Sequence, residues 1–372
     1  MVAAERSTPT VTQQGFAQQL RHAWLAHGPL ACALWPLALV YGGLLRLRRL
    51  AYRMGWKRST RLPVPVVVVG NVVVGGAGKT PTVIGLVNHL RQMGWTPGVI
   101  SRGHGGSSTD CVEVKTDSST AEVGDEPALI ARATRAPLVV GRQRVDAGKL
   151  LLAQHPEVDV IVCDDGMQHW ALARDVTVVV FDGRGTGNGW LLPAGMLREP
   201  WPANPWGNGQ MLVLCNQQGA QPEPAPFALQ SPWPIFRATR MLADHAVNAK
   251  GCQRALSGFA KEGVQVAAMA GIAQPEAFFS MLRERGLALN HELALPDHAD
   301  AELLLKTLET SETDGVWLCT EKDAVKLFPL LSASSTQEVW AVPLVQHPEP
   351  AFFAAVDAAL DGLSSAHGRQ TP

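Results

Sequence analysis

One run of residues combines backbone freedom, a cation and a hydroxyl group: Gly75-Gly76-Ala77-Gly78-Lys79-Thr80-Pro81. Glycine lets amide N–H groups point at phosphate oxygens, and the ammonium group of Lys79 adds a positive charge beside them. The hydroxyl group of Thr80 can ligate Mg²⁺, and Pro81 suits the first turn of a helix. Because the apolar stretch Val64–Val69 precedes the run, the order of strand, loop and helix predicts a site for the phosphates of a nucleoside triphosphate.

This loop departs from the strict phosphate-binding pattern at one position. Val73 stands five residues before Gly78, where the pattern has glycine. The two neighbouring glycines that begin the loop can supply the flexibility instead. The alternative is an ordinary glycine-rich turn, which does not explain why Lys79 and Thr80 follow in that order.

A second candidate element is a strand that ends in two carboxylates. The apolar residues Val160–Cys163 are followed directly by Asp164 and Asp165. A carboxylate at the carboxyl end of a parallel strand, beside the glycine-rich loop, can hold Mg²⁺ directly or through water. The alternative is a pair of turn-forming aspartates, since aspartate is common where strands end.

A third carboxylate pair precedes a predicted helix, in the string Gly124-Asp125-Glu126-Pro127. Spacing alone favours Asp125 as the N-cap of that helix. The alternative is that Asp125 faces the γ-phosphate and accepts a proton from an attacking hydroxyl group.

Three further segments carry polar groups with less specific meaning. The loops Asp182–Gly185 and Leu197-Arg198-Glu199-Pro200 suit a polar ligand, but exposed turn charges are equally ordinary. His298 is a lone histidine in a loop, for which a solvated surface position is the default. Thr320–Asp323 resembles a guanine-reading motif but is out of register, so we do not interpret it as specificity for GTP.

Composition and patterning predict an α/β fold. Of 372 residues, 46% are hydrophobic and 17% charged, which allows a sizeable core. The six cysteines are scattered without a CxxC pair, which favours reduced thiols over a zinc site. Mostly apolar strands alternate with helices, as in a parallel sheet covered on both faces. The predicted strands of the first part are 64–69, 97–101, 137–140, 158–163, 176–181 and 211–215, with helices at 127–135 and 145–154.

The chain divides into four predicted parts. Residues 1–60 hold a tail, an apolar helix and a basic segment, and residues 61–220 form the domain of the glycine-rich loop. Residues 217–235, rich in Pro and Gln, indicate a linker or crossover. Residues 221–363 form a smaller α/β domain, with strands at 264–270, 316–319 and 339–342 and helices at 275–285 and 301–309, and residues 364–372 are predicted to be disordered.

The N-terminal part has the features of a membrane anchor. Between Arg21 and Arg46 lie 24 residues without a formal charge, followed by seven Lys and Arg residues up to Arg61. Residues 1–109 contain twelve basic residues and one acid, against 20 and 32 in the rest of the chain. Such a pattern predicts a helix that binds anionic lipids with its basic flank on the cytoplasmic side, either spanning the bilayer or lying in its interface. The alternative is a helix packed on the protein's own core.

These elements, in this order, resemble the tetraacyldisaccharide 4′-kinase family, which phosphorylates lipid A in Gram-negative bacteria. The most specific strings are Gly124-Asp125-Glu126-Pro127 and Asp164-Asp165-Gly166-Met167-Gln168-His169. Other matching stretches are 66–71, 75–81, Ser101-Arg102-Gly103, 181–185, 191–200, 270–272, 296–298 and 320–326. The resemblance covers residues 64 to 327. It departs at two positions: His104 stands where the family usually has an aromatic residue, and Met167 where it usually has Phe or Leu.

The resemblance implies a P-loop NTPase-like fold and transfer of the γ-phosphoryl group of ATP, with Mg²⁺, to the 4′-hydroxyl of a tetraacylated glucosamine disaccharide 1-phosphate. It makes Asp125 the candidate base, assisted by His298. It places Glu126, Asp165, His169, Arg198 and Glu199 near the metal and phosphates. From the residues themselves, Thr80 with Asp164 or Asp165 can hold Mg²⁺, and Arg102 is a further active-site candidate. The resemblance also implies attachment to the cytoplasmic face of the inner membrane.

Two other classes of function remain open from the residues alone. A membrane-associated P-loop ATPase or GTPase acting as a switch would hydrolyse nucleotide without a lipid acceptor. A nucleic-acid binder would use the basic front part, but its charges adjoin an apolar helix and lack interleaved stacking aromatics. We therefore expect a lipid substrate, a membrane with anionic lipids, no nucleic acid and no obligate protein partner.

Overall fold

The computed structural model describes residues 19–20, 22–115, 117–203, 209–218, 229–261, 265–297, 299–311, 315–331 and 337–364. In this part of the chain, strands form one sheet of nine strands and one of six. The larger sheet has the strands β1 Val66–Gly70, β2 Pro97–Ser101, β3 Val112–Glu113, β4 Leu138–Val140, β5 Val160–Asp164, β6 Val176–Phe181, β7 Gln210–Gln218, β8 Ile235–Leu242 and β15 Leu344–Pro348, in the order β15-β8-β7-β6-β1-β5-β2-β4-β3.

The larger sheet is parallel from β8 to β4 and carries helices on both faces. Along β1 the side chains alternate, so that Val67 and Val69 join one core cluster and Val66 and Val68 another. The helices around this sheet are α2 Lys79–Gln92, α3 Thr120–Val123, α4 Asp125–Thr134, α5 Arg144–Gln154 and α10 Pro350–Ser364. The predicted α/β class with a mostly parallel sheet is confirmed.

The register of β1 brings two predicted site elements together. Val69 near the end of β1 pairs with Asp164 at the end of β5, and the two strands run parallel. The glycine-rich loop after β1 and the carboxylates after β5 therefore leave the sheet at the same edge. Ligands of open α/β sheets bind at this carboxyl edge.

The smaller sheet is built from residues beyond 244 and has its own core. Its elements are β9 His245–Asn248, β10 Gln253–Ala255, α6 Leu256–Lys261, β11 Val266–Ala270, α7 Pro275–Glu284, β12 Leu289–Ala294, α8 Ala301–Thr310, β13 Val316–Thr320, α9 Glu321–Leu327, the 3₁₀ turn Phe328–Leu330 and β14 Glu338–Val342. The predicted domain boundary at residue 220 stays a prediction. Beyond it the chain contributes to both sheets, since β8, β15 and α10 belong with the larger one.

The N-terminal helix α1 spans Pro29–Arg53, and in the described residues it alone is long and apolar enough to cross a membrane. It continues through Arg46, Arg48 and Arg49, which the sequence analysis placed after the helix. Arginine and leucine are both good helix formers, and the helix ends only beside Gly55, whose φ is +74°. The basic residues therefore extend along the last two turns of the helix.

Candidate active site

The glycine-rich loop joins β1 to α2, as predicted. Gly78 is the N-cap of α2 with a φ of +89°, a conformation that favours glycine. A Cβ atom there would lie 2.5 Å from the side-chain nitrogen of Asn216. That nitrogen, Nδ2, donates a hydrogen bond of 2.6 Å to the carbonyl of Ala77, so β7 fixes the loop from the side.

Two arginines flank the loop: Arg184, from the Asp182–Gly185 loop that the sequence indicated as suited to a polar ligand, and Arg240, which no motif indicated. The guanidinium group of Arg184 lies 3.0 Å from where a Cβ atom on Gly75 would stand, and Asp182 holds it through its carboxylate. Arg240 on β8 approaches Gly78 in the same way, with a guanidinium nitrogen 3.3 Å from where a Cβ atom on Gly78 would stand. Together with Lys79 they make the surroundings of the loop strongly cationic, as polyphosphate binding requires. Arg240 gave no sequence signal because it lies within a strand and outside any motif.

Asp164 and Asp165 lie beside Lys79, but their pKa values shift in opposite directions. Burial raises the pKa of Asp164 to about 7, and the negative charges of Glu126 and Asp165 add to this effect. Burial also acts on Asp165, but nearby cations, led by Lys79 and Arg198, outweigh it and lower the pKa. Asp165 lies 3.6 Å from the Lys79 ammonium and 3.5 Å from the Arg198 guanidinium. Neighbouring carboxyl groups with divergent pKa values are a common feature of active sites.

The predicted N-cap role of Asp125 is wrong. The N-cap of α4 is Gly124, and Asp125 is the first residue of the helix itself. The reason is steric: Gly124 has a φ of +92°, and a Cβ atom on it would lie 2.5 Å from the His104 carbonyl oxygen. Only glycine fits at this position, and the helix starts one residue earlier than an N-cap at Asp125 would place it. The Asp125 carboxylate is then available elsewhere, and it pairs with Lys326 of α9 at 2.9 Å.

The segment that carries Arg198 and Glu199 lies along the approach to the glycine-rich loop. The Arg198 amide donates to the carbonyl of Val72, and the Val74 amide to that of Met196. Glu199 is buried, which raises its pKa, and it accepts a hydrogen bond of 2.7 Å from Gln168 Nε2. The structure therefore brings this segment to the same edge of the sheet as Asp165.

His169 and Arg102 lie on the other side of the carboxylates. Burial and the charges of Arg144 and Arg174 lower the pKa of His169 to about 4, so its imidazole is neutral. Its Nε2 accepts the amide N–H of Arg144 at 3.3 Å. Arg102 is exposed near His169, and His298 lies outside the described residues, so its predicted role is not tested.

The donor set fits a magnesium ion better than a metal that needs a closed protein cage. In the part of the chain that the structure describes, no group of three or more His, Cys, Asp or Glu residues could hold a metal. However, the buried Oδ1 atoms of Asp164 and Asp165 accept no hydrogen bond, whereas Asp164 Oδ2 accepts one of 2.9 Å from the Ser101 hydroxyl. Mg²⁺ is held by one or two carboxylates, water and substrate phosphates, which matches two carboxylate oxygens that accept no hydrogen bond beside a phosphate loop.

Replacing Asp164 with asparagine should raise the melting temperature of the metal-free protein at pH 8 by about 1–3 °C. The raised pKa means that the folded protein keeps a proton that the unfolded chain has lost between about pH 4 and 7. The free energy of unfolding contributed by this group therefore falls as the pH rises through that window. Thermal unfolding of both proteins at pH 5 and pH 8, without divalent ions, measures the effect. A lower melting temperature for the variant at pH 8 would show that burying the ionised Asp164 carboxylate does not destabilise the fold.

The carboxyl edge of the sheet, with its glycine-rich loop and strand-end carboxylates, defines a P-loop NTPase-like protein. The family model described as LpxK, tetraacyldisaccharide-1-P 4′-kinase, matches residues 30–361. The chain therefore belongs to the tetraacyldisaccharide-1-P 4′-kinase family. The resemblance inferred from its motifs is confirmed.

Individual relatives and one solved structure agree with this membership. Tetraacyldisaccharide 4′-kinase of Acidovorax ebreus is 49% identical over 365 residues, which is 98% of this chain and 99% of the relative. The enzyme of the same name from Polaromonas sp. (strain JS666) is 52% identical over 358 residues, or 94% and 99% of the two chains. The crystal structure of LpxK from Aquifex aeolicus in complex with ATP superposes with a TM-score of 0.73 at 26% identity, covering 89% of this chain and 99% of that one.

Proposed function

We propose that this protein transfers the γ-phosphoryl group of ATP to the 4′-hydroxyl of a tetraacylated glucosamine disaccharide 1-phosphate, in lipid A biosynthesis. The observation that carries the proposal is identity of about half of all residues, over nearly the full chain, with proteins named for this activity. The geometry of the site supports it, because cations, buried carboxylates and a phosphate loop meet at one edge. Phosphoryl transfer depends on such positioning and charge neutralisation.

Each group at this edge has a proposed role. Lys79, Thr80 and the loop amides hold the ATP phosphates. Asp164 and Asp165, with Thr80 and Glu126, would hold Mg²⁺, which when bound would supply positive charge to the transferred group. The family resemblance further proposes Arg102, His169, Arg198 and Glu199 for contacts with the metal and phosphates, and His298 as the helper of the base.

Asp125 is the proposed base toward the sugar hydroxyl. Its carboxylate lies in the first turn of α4, and 18% of the side chain is exposed, so it remains reachable. A hydrogen-bonded carboxylate can take the proton as the hydroxyl oxygen attacks the γ-phosphorus, while the bond from the β,γ-bridging oxygen to phosphorus breaks and ADP leaves.

The deciding experiment is phosphoryl transfer from γ-labelled ATP in detergent micelles of the tetraacyl disaccharide 1-phosphate with Mg²⁺. We expect label on the 4′ position of the sugar and no label without the lipid. Label released only as inorganic phosphate, at the same rate with and without lipid, would instead support the ATPase switch.

We further propose that α1 attaches the protein to the cytoplasmic face of the inner membrane and lies in the membrane interface. One side of α1 contacts the site: the Tyr41 hydroxyl donates to the carbonyl of Arg198, and the Arg48 guanidinium to that of Gln168. The outer side of the helix exposes large apolar residues, namely Leu37, Val40, Leu44 and Leu47. A helix held along the protein in this way suits an interfacial position, because the site then faces the membrane surface where the acyl chains of the substrate lie.

Four serine substitutions on the outer side of α1, at Leu37, Val40, Leu44 and Leu47, should lower binding to anionic vesicles at least tenfold. Burying such a side chain contributes about 1.5–3 kcal/mol, although the fraction already covered reduces this. Vesicle flotation measures the bound fraction. Met93→Ser with Leu330→Ser is the control, since both residues are also exposed but lie elsewhere. Undiminished flotation of the fourfold variant would argue against attachment through this face.

A further inference from the structure

We propose that Lys326 is a positioning residue for phosphoryl transfer, which fixes the Asp125 carboxylate from across the junction of the two sheets. Lys326 belongs to α9 of the smaller sheet, whereas Asp125 begins α4 beside the larger one. Its ammonium lies 2.9 Å from Asp125 Oδ2, and only 5% of its side chain is exposed. A buried ammonium needs such a partner, because an unpaired charge in this place would be strongly unfavourable.

The same ammonium group also holds a loop of the smaller domain. Lys326 Nζ donates a hydrogen bond of 2.9 Å to the carbonyl of Ala299. Ala299 directly follows His298 in the sequence, and the Ala299 amide closes a turn on the carbonyl of Pro296. One side chain therefore joins the proposed base to the segment that follows the proposed helper. Because both contacts converge on a single nitrogen atom, displacing it would disturb both.

The start of α9 is built to hold this lysine in place. The Thr320 hydroxyl caps the helix by accepting the Asp323 amide, and it donates to Asp323 Oδ2 at 2.6 Å. Asp323 is fully buried and also accepts the amide of Gly271, at 3.0 Å, from the turn after β11. The motif that resembles a guanine-reading sequence therefore acts as an anchor for the helix. These hydrogen bonds fix the start of α9 to the smaller sheet, so that Lys326 extends from a rigid support.

A second lysine on α9 extends the same junction. Lys322, one turn before Lys326, lies 3.3 Å from Glu126 Oε1. Two lysines at positions i and i+4 thus meet two consecutive carboxylates at the start of α4. Lys322 and Glu126 are more exposed, at 25% and 34% of their side chains, so solvent screens this pair. The buried pair of Lys326 and Asp125 is therefore the one that we expect to govern the geometry of the base.

This inference rests on the proposed role of Asp125, and a double-mutant cycle tests it. The variants are Lys326→Met, Lys326→Arg, Asp125→Asn and the double variant Lys326→Met/Asp125→Asn. Lys306→Met, which makes the same change on an exposed lysine of α8, is the matched control. Lipid phosphorylation gives kcat and the KM values for ATP and for lipid, and thermal unfolding checks that each protein is folded.

We expect Lys326→Met to lower kcat by about 10- to 100-fold with both KM values changed less than threefold, since small displacements of a reacting group have such effects. Lys326→Arg should restore part of the loss. In the Asp125→Asn background, Lys326→Met should change kcat by less than twofold. If Lys326→Met does not fold, Lys326→Arg replaces it in the cycle. Its effect on kcat is then compared between the protein with Asp125 and the Asp125→Asn variant.

Two results would overturn the inference. One is an equal fall in kcat from Lys326→Met in both backgrounds, which indicates a merely structural effect. The other is a wild-type kcat for the folded Lys326→Met variant. Both differ from a failure of the proposed function, in which the wild type phosphorylates no lipid or Asp125→Asn retains the wild-type rate.

Discussion

Replacing Asp125 with asparagine is expected to lower kcat for lipid phosphorylation by about 10²–10⁴-fold. Asparagine keeps the size of the side chain but cannot accept a proton from the sugar hydroxyl. The KM for ATP should change less than threefold, because the glycine-rich loop and Lys79 are untouched. The measurement is initial-rate kinetics with both substrates varied, together with equilibrium binding of ATP.

A matched control separates loss of the base from loss of a helix-terminal charge. Asp146 also lies in the first turn of a helix, α5, and its side chain is exposed. Asp146→Asn removes the same favourable interaction with a helix dipole, so it should leave kcat unchanged. A kcat for Asp125→Asn within threefold of wild type would exclude Asp125 as the base, whatever the control does.

The parts of the site that lie close in sequence were predictable. The glycine-rich loop and the strand before it follow from local composition, and the loop starts α2 as expected. The approach of Asp164 to that loop follows from parallel pairing, which places the carboxyl ends of β1 and β5 at one edge. Both inferences need only the order of strands and the direction in which they run.

The parts set by distant backbone contacts were not predictable. The helix that follows Gly124 starts at Asp125 because the His104 carbonyl crowds the glycine, and no local signal reports that approach. The contact of Lys326 with Asp125 depends on how the two sheets meet, with 200 residues between the partners. The same holds for Asn216 and Arg240, which lie on strands whose neighbours in the sheet decide what they touch.

For α1, the sequence predicted the apolar helix correctly but placed its end too early. The charge-free stretch predicted an apolar helix, and the structure has one. Its arginines were assigned to a following segment because charges usually end a membrane helix. In the structure they continue the helix, and Arg48 lies over the ring of Trp170 at 4.9 Å. Contact with the folded domain supports those last turns, as a cation–π pair and a hydrogen bond can.

Replacing Lys79 with alanine should weaken ATP binding by about 10²- to 10³-fold and lower kcat/KM at least as much. Its ammonium lies at ion-pair distance from Asp165, with Asn71 Oδ1 as a further partner at 3.4 Å. Arg184, in the turn after β6, lies beside Gly75, and Arg240, on β8, lies beside Gly78, so neither occupies the position of the Lys79 ammonium. Both ground-state binding and the charge developing in transfer depend on this cation.

The combination of ATP affinity and turnover distinguishes Lys79→Ala from Asp125→Asn. Asp125→Asn should impair turnover with ATP affinity intact, whereas Lys79→Ala should impair both. Lys149→Ala, on the exposed side of α5, is the matched control and should change neither. Titration calorimetry with ATP and Mg²⁺ measures affinity without any need for the lipid. Unchanged affinity and turnover for Lys79→Ala would contradict the phosphate-binding role of the loop, because an ammonium group beside bound phosphates cannot be removed without cost.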